Sequence, residues 1–289
     1  MKIGIYHITK EDAELYKRYL PQYILDHVAL PGYYALAAVT DAPTPAGTAM
    51  YYLGMLEDGS MYGRICCIDV KEEQKHTGVG SALLQRIHQL LKASKVEESY
   101  ACVPQDDKGG ALSFFRRFSY AFDSRVYEYQ GSLEELLTED LSKWKDRIGI
   151  RSIGGLKDKE FPRLLQQIMD KVPVASGETL IPAELAREQT AYDQRLSCFY
   201  HMADSAGIFL VRRTGDLLEP LYLAGYGEEV EDRLFELLVY SARIAKKTLP
   251  PETRVGIEQM KKEDLEYFRD LCPVTKPLLL RKGMRLVSL

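Results

Sequence analysis

The sequence lacks the residue patterns that mark metalloproteins, disulfide-rich proteins and membrane proteins. None of its five cysteines forms a C-x-x-C pair, and its five histidines are scattered, so no metal site is expected. The cysteines are odd in number and lie mostly inside apolar runs, which favours reduced thiols and a cytoplasmic location. No apolar stretch approaches the roughly eighteen residues of a membrane-spanning helix. The first residues lead into a strand pattern rather than a signal peptide.

An excess of positive charge is also missing. The formal net charge is -4 and the sequence pI is about 5.9, so a nucleic-acid-binding surface is not predicted. What is present is typical of a soluble globular protein, because 46% of the residues are hydrophobic and 28% are charged. A length of 289 residues fits one large domain or two domains of average size.

The most informative stretch, residues 69–91, joins a strand to a helix through a loop that contains glycines. The apolar run at 65–68 predicts a buried strand. A polar loop follows and closes on Gly78-Val79-Gly80. The next apolar residues have the spacing of one helix face: Val79, Leu83, Ile87, Leu90 and Leu91. This arrangement directs backbone N–H groups and a positive helix end at an anion, so we expect a phosphate-containing ligand at residues 75–81.

Two common phosphate loops can be eliminated. A Walker A loop needs four residues between its glycines and then Gly-Lys-Ser/Thr, and no segment here matches. A dinucleotide-binding loop needs a third glycine three residues after Gly80, where Leu83 stands. What remains is a basic residue, Lys75, two spacers and then Gly78-x-Gly80. An alternative stays open, in which the glycines only serve the turn between strand and helix.

This spacing resembles the pyrophosphate loop of the GNAT superfamily of N-acetyltransferases, which binds the diphosphate of acetyl-CoA. Val70, Lys75, Gly78 and Gly80 reproduce the family pattern without an insertion. The one departure is Lys75, where the family prefers Arg or Gln, and lysine keeps the charge without the fork geometry. The resemblance implies that acetyl-CoA is the co-substrate.

The resemblance also implies roles for the residues around the loop. Ile68, Asp69 and Val70 would contact the pantetheine arm through backbone groups, and a backbone N–H would stabilise the charge that develops on the thioester oxygen. Asp69 could also deprotonate the amine, or it could simply face solvent. The diphosphate would be held by Lys75, His76, Thr77, Gly78, Val79, Gly80 and Ser81. For His76 the alternative is a solvated loop residue.

A second stretch, residues 111–120, is similar to a family pattern that contains a catalytic tyrosine. Ala111, Phe114 and the aromatic Tyr120 fit that pattern. The departures are Lys108 for Asn, Phe115 for Tyr and Ser119 for Gly.

Phe115 lies where the family often has the tyrosine that protonates the departing CoA thiolate, and it would contact the cofactor without donating a proton. General acid catalysis contributes roughly a hundred- to ten-thousand-fold, so its loss slows an acetyl transfer without forbidding it. Tyr120 is the nearest phenol and a candidate replacement acid.

The second half of the chain is similar to the first. Residues 2–8 and 147–153 match at an offset of about 145, as do residues 18–22 and 163–167. The later predicted elements also follow the same order, which indicates a duplication, with chance similarity as the alternative. The second half has its own Gly225-Tyr226-Gly227, but Tyr222 replaces the basic residue and acidic residues follow. We therefore expect no CoA site there.

These observations predict an α/β (α+β) protein with two tandem acyl-CoA N-acyltransferase-like domains. Each domain is expected to be a mixed, mostly antiparallel sheet flanked by helices. Residues 1–131 would bind acetyl-CoA, 132–146 would form a helical connector with Trp144 at an interface, and 147–289 would be the degenerate copy. The segment 173–194 would be an insertion or a cap.

The predicted function is N-acetyl transfer from acetyl-CoA to a primary amine by direct attack, without a metal. The acceptor would be a small molecule or a peptide, bound beside the tyrosines of adjacent strands, which are Tyr33, Tyr34, Tyr51, Tyr52 and Tyr62. For each of these tyrosines core packing is the alternative. No nucleic acid or membrane partner is expected, and a homodimer is left open. The competing hypotheses are a non-catalytic CoA-binding or protein-interaction module and an unrelated α/β protein with a chance loop.

Overall fold

The computed structural model describes residues 2–41, 44–55, 60–104, 110–137, 141, 149–172, 187–260 and 281–288. Contacts divide the chain into two compact units, which are Met1–Arg125 with Gly283–Leu289, and Val126–Lys282. Among the helices in the described ranges, none combines the length and the apolar character needed to cross a membrane.

The first unit alternates strands and helices from its first residues. In chain order its elements are β1 (Gly4–Ile8), α1 (Lys10–Tyr16), α2 (Gln22–His27), β2 (Tyr33–Val39), β3 (Gly47–Met55), β4 (Met61–Val70), α3 (Val79–Ala93), β5 (Val96–Pro104), α4 (Ala111–Arg116) and the start of β6 (Tyr120–Ser132). Helix α1 begins after Thr9, because Thr9 and Asp12 form a reciprocal capping box. Strand β4 contains the predicted apolar run at 65–68, and helix α3 contains the predicted apolar face from Val79 to Leu91.

The sheet of the first unit has the strand order β1-β2-β3-β4-β5-β12, where β12 is Arg281–Ser288. Among the described strands of this unit, only β4 and β5 pair in parallel, and helix α3 connects them. The apolar stripe of α3 packs on one face of the sheet, and Leu83, Leu84 and Ile87 are fully buried there. Because α3 is packed on the sheet, the polar loop between β4 and α3 is held at the end of the parallel strand pair. On α2, the ring of His27 lies 5.1 Å from the ring of Tyr33.

The second unit repeats this arrangement. Its elements are α5 (Leu133–Leu136), β7 (Arg151–Ser152), α6 (Glu160–Lys171), β8 (Cys198–His201), β9 (Ala206–Thr214), β10 (Leu217–Tyr226), α7 (Val230–Thr248) and β11 (Arg254–Met260). The strand order is β6-β11-β10-β9-β8-β7. Strands β10 and β11, which precede and follow α7 in the chain, form its parallel pair. Leu237 of α7 and Phe161 of α6 are fully buried, in separate core clusters. Two mixed, mostly antiparallel sheets flanked by helices confirm the predicted fold class.

The outermost strand beside each parallel pair comes from an unexpected part of the chain. The sequence assigns 122–129 to the first domain and 277–287 to the second. In the structure β6 pairs with β11 through residues 127–132, whereas β12 pairs with β5, from Gly283↔Pro104 to Val287↔Tyr100. Each added strand covers an edge that would otherwise leave backbone groups unpaired. Local periodicity predicts a strand but not its neighbour, so the predicted boundaries differ from the division seen here.

Several predicted features lie outside the described residues. They are Trp144 and most of the connector, Lys108, and most of the insertion at 173–194.

Candidate active site

The end of β4 stays paired with β3 but separates from β5 before the predicted phosphate loop. Met50 of β3 pairs with Cys67, and Tyr51 pairs with Ile65, so Cys66 is the extra residue of a β-bulge. On the other side the parallel ladder with β5 ends at Ile65↔Ala101, although β4 continues to Val70. In the described part of the chain, residues 66–70 of β4 therefore have one edge that is not paired with β5. Backbone N–H and C=O groups on such an edge can bind an extended polar ligand.

The loop between β4 and α3 is a compact series of turns. The N–H of Gln74 donates to the carbonyl of Lys71 at 2.8 Å, and the N–H of Lys75 donates to the carbonyl of Glu72 at 3.2 Å. The Thr77 hydroxyl donates to the Gln74 carbonyl at 2.7 Å. The Thr77 side chain therefore stabilises the turn itself.

Helix α3 begins after Gly78, which adopts the left-handed conformation with a φ of 95°. A side chain there would be strained even though no atom lies within 4 Å of the position of its Cβ. The first N–H groups of a helix have no acceptor inside the helix, and here they belong to Val79, Gly80 and Ser81. No side chain caps them. These N–H groups and the positive end of a helix of 15 residues form a site that suits an anion.

The remaining loop residues differ in how they are held. Val79 is 1% exposed and packs in the core, so it contributes its backbone to the loop. A Cβ on Gly80 would lie 3.5 Å from Val70 and 3.6 Å from the ring of Phe114. His76 is exposed with a φ of 63°, and its ring makes no hydrogen bond or ion pair with the described residues. This geometry is compatible with His76 as a diphosphate contact and with His76 as a solvated loop residue.

The predicted phosphate-binding cation is already paired. The Lys75 ammonium lies 2.6 Å from a Glu72 carboxylate oxygen, and the side chains are 48% and 84% exposed. The neighbouring Lys71 donates to the Thr44 hydroxyl at 2.8 Å. An exposed pair of this kind contributes about 0–1 kcal/mol, so an anionic ligand can displace Glu72 from Lys75 at small cost.

The two candidate catalytic residues have opposite environments. Asp69 is exposed, pairs with Thr48 across the β3–β4 ladder and lies next to Val70 at the start of the loop. Tyr120 is 2% exposed. Its hydroxyl lies 2.8 Å from the Ser99 hydroxyl and 3.0 Å from Nε2 of His88. The phenol therefore belongs to a buried hydrogen-bond network.

That network extends from α3 to the last strand of the chain. The N–H of Ser99 donates to the hydroxyl of Ser288 at 3.1 Å. Burial raises the pKa of Tyr120 to about 12, although the hydrogen bond with Ser99 opposes the shift. Burial also lowers the pKa of His88. Both groups are therefore neutral near pH 7.

Phe115 and Phe114 lie on different sides of α4. Phe115 is 7% exposed and its ring lies 5.1 Å from the ring of Tyr120, inside the core. Phe114 is only partly buried and lies near Gly80. The ring close to the phosphate loop is thus Phe114, which the sequence analysis did not assign to the site.

The corresponding loop of the second unit is closed by its own side chains. A Cβ on Gly227 would lie 2.3 Å from Cβ of Ser205, so glycine is needed here for close packing. The Tyr226 hydroxyl accepts a hydrogen bond from Gln167, and the Lys171 ammonium lies 4.3 Å from the centre of the Tyr226 ring. These contacts account for the glycines without a ligand.

Sequence reasoning missed the contacts that depend on tertiary structure. The Glu72–Lys75 pair could have been found from its i, i+3 spacing. No local signal brings Ser288 to Ser99 across 189 positions. Among the described residues, no group of three or more His, Cys, Asp or Glu side chains could hold a metal ion.

Known proteins resemble this chain in sequence and in fold. Residues 3–120 match the sequence model described as "Acetyltransferase (GNAT) family". The fold is similar to a tandem GNAT protein from the clavulanic acid biosynthesis pathway, with 12% identity, a TM-score of 0.64 and coverage of 99% of this chain and 98% of that one. It is also similar to a GCN5-related N-acetyltransferase from Kribbella flavida, with 13% identity, a TM-score of 0.54 and coverage of 99% and 71%. No curated protein matches the sequence. At these identities the solved structures support the fold alone.

Proposed function

We propose that the first unit, whose residues 3–120 match the model of the acetyltransferase (GNAT) family, transfers acetyl from acetyl-CoA to a primary amine. Acyl transfer from acetyl-CoA is the general activity of the family. The observation that carries the proposal is the unpaired edge of β4 leading into the loop and the uncapped start of α3. A strand edge followed by an anion site matches a ligand with an extended amide arm and a diphosphate.

The chemistry of the donor set fits the diphosphate. The N–H groups of Val79, Gly80 and Ser81 would bind its oxygens, and Gly78 keeps side-chain atoms away from them. Lys75 would add charge after leaving Glu72, and His76 and Thr77 would border the same loop. The backbone of Ile68 and Val70 would hold the pantetheine amides, as the β4 edge allows. Phe115 would support this site by packing in the core rather than by contacting the cofactor.

Acetyl-CoA supplies an activated thioester that an amine can attack directly. A covalent enzyme intermediate is not proposed, because the Tyr120 hydroxyl that contacts His88 Nε2 is buried in the core. Asp69 is the proposed base, because its exposed carboxylate lies on β4 between Ile68 and Val70. Holding the amine and the thioester together supplies a large part of the rate enhancement. An acid role for Tyr120 stays a prediction, since its hydroxyl is buried with two internal partners.

A second candidate function is CoA binding without fast turnover. The buried Phe115 favours it, because this is the position at which the family often has a proton-donating tyrosine. The two functions share the binding site and differ in chemistry. Nothing in the second unit's closed loop supports a further CoA site, so we propose that it has a structural or acceptor-binding role.

Turnover of acetyl-CoA with a library of amines, followed by release of free thiol, separates these functions. We expect thiol release with at least one amine and a large decrease in the Asp69→Asn variant. Tight CoA binding with no thiol release for any amine would reject the enzyme and leave the binding module. The absence of CoA binding would reject both.

A further inference from the structure

Thr48 on β3 has a buried hydroxyl beside the proposed base. Thr48 is 3% exposed, and its hydroxyl makes no hydrogen bond with the described residues. A buried hydroxyl without a partner costs free energy that a valine of the same shape would not cost. Because nearly all buried polar groups in proteins are paired, such an exception calls for a specific explanation.

The β3–β4 ladder places Thr48 directly opposite Asp69. Two regular pairs separate the pair Thr48↔Asp69 from the bulge at Cys66, so the register is well defined here. Ile68 and Val70, on either side of Asp69, pack against the α3 core, so Asp69 and Thr48 point to the opposite face of the sheet. Side chains of a directly opposite pair have Cβ atoms about 4.5–5.5 Å apart. The hydroxyl and the carboxylate can therefore meet at hydrogen-bond distance.

Of the two residues that pair with Thr48 across the described strands, only Asp69 can accept a hydrogen bond through its side chain. The other is Ala37 of β2, which has no polar side-chain atom. Along β3 the next side chain on this face is Met50, whose thioether is a weak acceptor. The Asp69 side chain is exposed and can turn toward Thr48 by rotation. In such a pair the hydroxyl donates and a carboxylate oxygen accepts.

We propose that Thr48 is a positioning residue, which holds the carboxylate of Asp69 for proton transfer from the acceptor amine. This inference rests on the proposed function. Acetyl-CoA bound along the β4 edge would exclude water from Asp69, and the hydrogen bond from Thr48 would replace that water. Hydrogen bonds are stronger where water is excluded. The bond fixes one carboxylate oxygen and leaves the other directed at the amine.

The second carboxylate oxygen of Asp69 takes the proton. As the amine nitrogen bonds to the acetyl carbon, an N–H bond breaks, an O–H bond forms on Asp69 and CoA leaves as a thiolate. A freely rotating carboxylate has the productive orientation only part of the time, so the Thr48 bond raises kcat rather than the affinity for either substrate. A hydrogen bond to a charged group contributes about tenfold or more.

Steady-state kinetics of the full chain test this role, with acetyl-CoA and the amine that gives the fastest thiol release. We expect Thr48→Val to lower kcat about tenfold, with the KM for the amine and the Kd for acetyl-CoA within about twofold of wild type. Thr48→Ser keeps the hydroxyl and should retain most of the wild-type kcat.

The matched control is Thr214→Val on β9 in the second unit. It removes another buried hydroxyl that makes no hydrogen bond with the described residues, far along the chain from Asp69. It should leave kcat unchanged. In urea denaturation Thr48→Val should be at least as stable as wild type, because its hydroxyl has no partner to lose.

The Asp69→Asn background separates positioning from a general structural role. If Thr48 acts through Asp69, adding Thr48→Val to Asp69→Asn should lower kcat no further, because residues that act as a unit have non-additive effects. A structural role would instead lower kcat by about a further tenfold.

Several results would overturn the inference. They are a wild-type kcat in Thr48→Val or in Asp69→Asn, an additive loss in the double variant, and a lower urea midpoint for Thr48→Val. Any of these, with thiol release by the wild type, rejects this inference alone. If the wild type releases no thiol with any amine, the proposed function is rejected and the inference with it.

Discussion

The pairing of Lys75 with Glu72 makes a quantitative prediction about acetyl-CoA affinity. In the free protein the two charged groups are 2.6 Å apart, so a phosphate bound by Lys75 would lie on the order of 6 Å from the carboxylate of Glu72. At that separation in water, two unit charges repel by about 0.7 kcal/mol. A diphosphate carries about two charges, and screening at physiological salt roughly halves the total. Removing the carboxylate should therefore improve binding by about 0.7 kcal/mol, or about threefold.

The assay is isothermal titration of acetyl-CoA into the wild type and Glu72→Gln at two salt concentrations. We expect a Kd about threefold lower for the variant at 0.15 M salt and a larger difference at 0.01 M, where screening is weak. Lys75→Gln should weaken binding in the same assay.

Glu73→Gln is the matched control. It removes the same charge from the neighbouring exposed position and leaves the Lys75 pair intact. The reasoning is refuted if Glu72→Gln weakens binding, or if it changes the Kd no more than Glu73→Gln does.

Further predictions concern stability and pH. Gly78→Ala should lower the free energy of unfolding by about 1 kcal/mol, because Gly78 has a φ of 95°. Gly80→Ala should leave the free energy of unfolding unchanged, because its Cβ would meet only ordinary contacts. Urea denaturation of the two variants tests both predictions. Tyr120→Phe should cost about 1–2 kcal/mol in the same assay by leaving buried partners unsatisfied, and a hundredfold loss of turnover would instead support its acid role. Because burial lowers the pKa of His88, its neutral form should stabilise the fold fully above about pH 6.5, and that contribution should decrease as the pH falls below this value. His88→Gln should remove this pH dependence. A variant whose stability still decreases below about pH 6.5 as in the wild type would contradict the role of His88. Tyr226→Phe should lower stability by about 1 kcal/mol through the lost bond with Gln167 without changing the Kd for acetyl-CoA.

The elements around the loop could be predicted from the sequence because their signals are local. The apolar run before Asp69 and the periodic apolar residues of α3 identify the strand and the helix, and the structure has both elements at these positions. The glycine spacing depends on the same few residues. Periodicity cannot show which strands pair, so the exchange of β6 and β12 between the two sheets was not foreseen.

The candidate catalytic residues were harder to predict because their roles depend on burial. The sequence indicates Tyr120 as the phenol nearest to Phe115, and tertiary packing leaves it 2% exposed between His88 and Ser99. Phe114 and Phe115 are adjacent in the sequence, yet only Phe114 lies near Gly80. The bulge at Cys66 also has no local signature, since it appears only in the register with β3. Chain position alone therefore identified the loop but not the orientation of the side chains beside it.

The stoichiometry of acetyl-CoA binding, measured by titration calorimetry on the full chain, tests the central claim most directly. We expect one acetyl-CoA per chain and loss of binding in Gly80→Glu, with circular dichroism showing that the fold is retained. The Glu228→Gln variant, which alters the loop of the second unit, should bind acetyl-CoA as the wild type does. Two bound molecules per chain, or wild-type affinity in Gly80→Glu, would contradict a single site at residues 75–81.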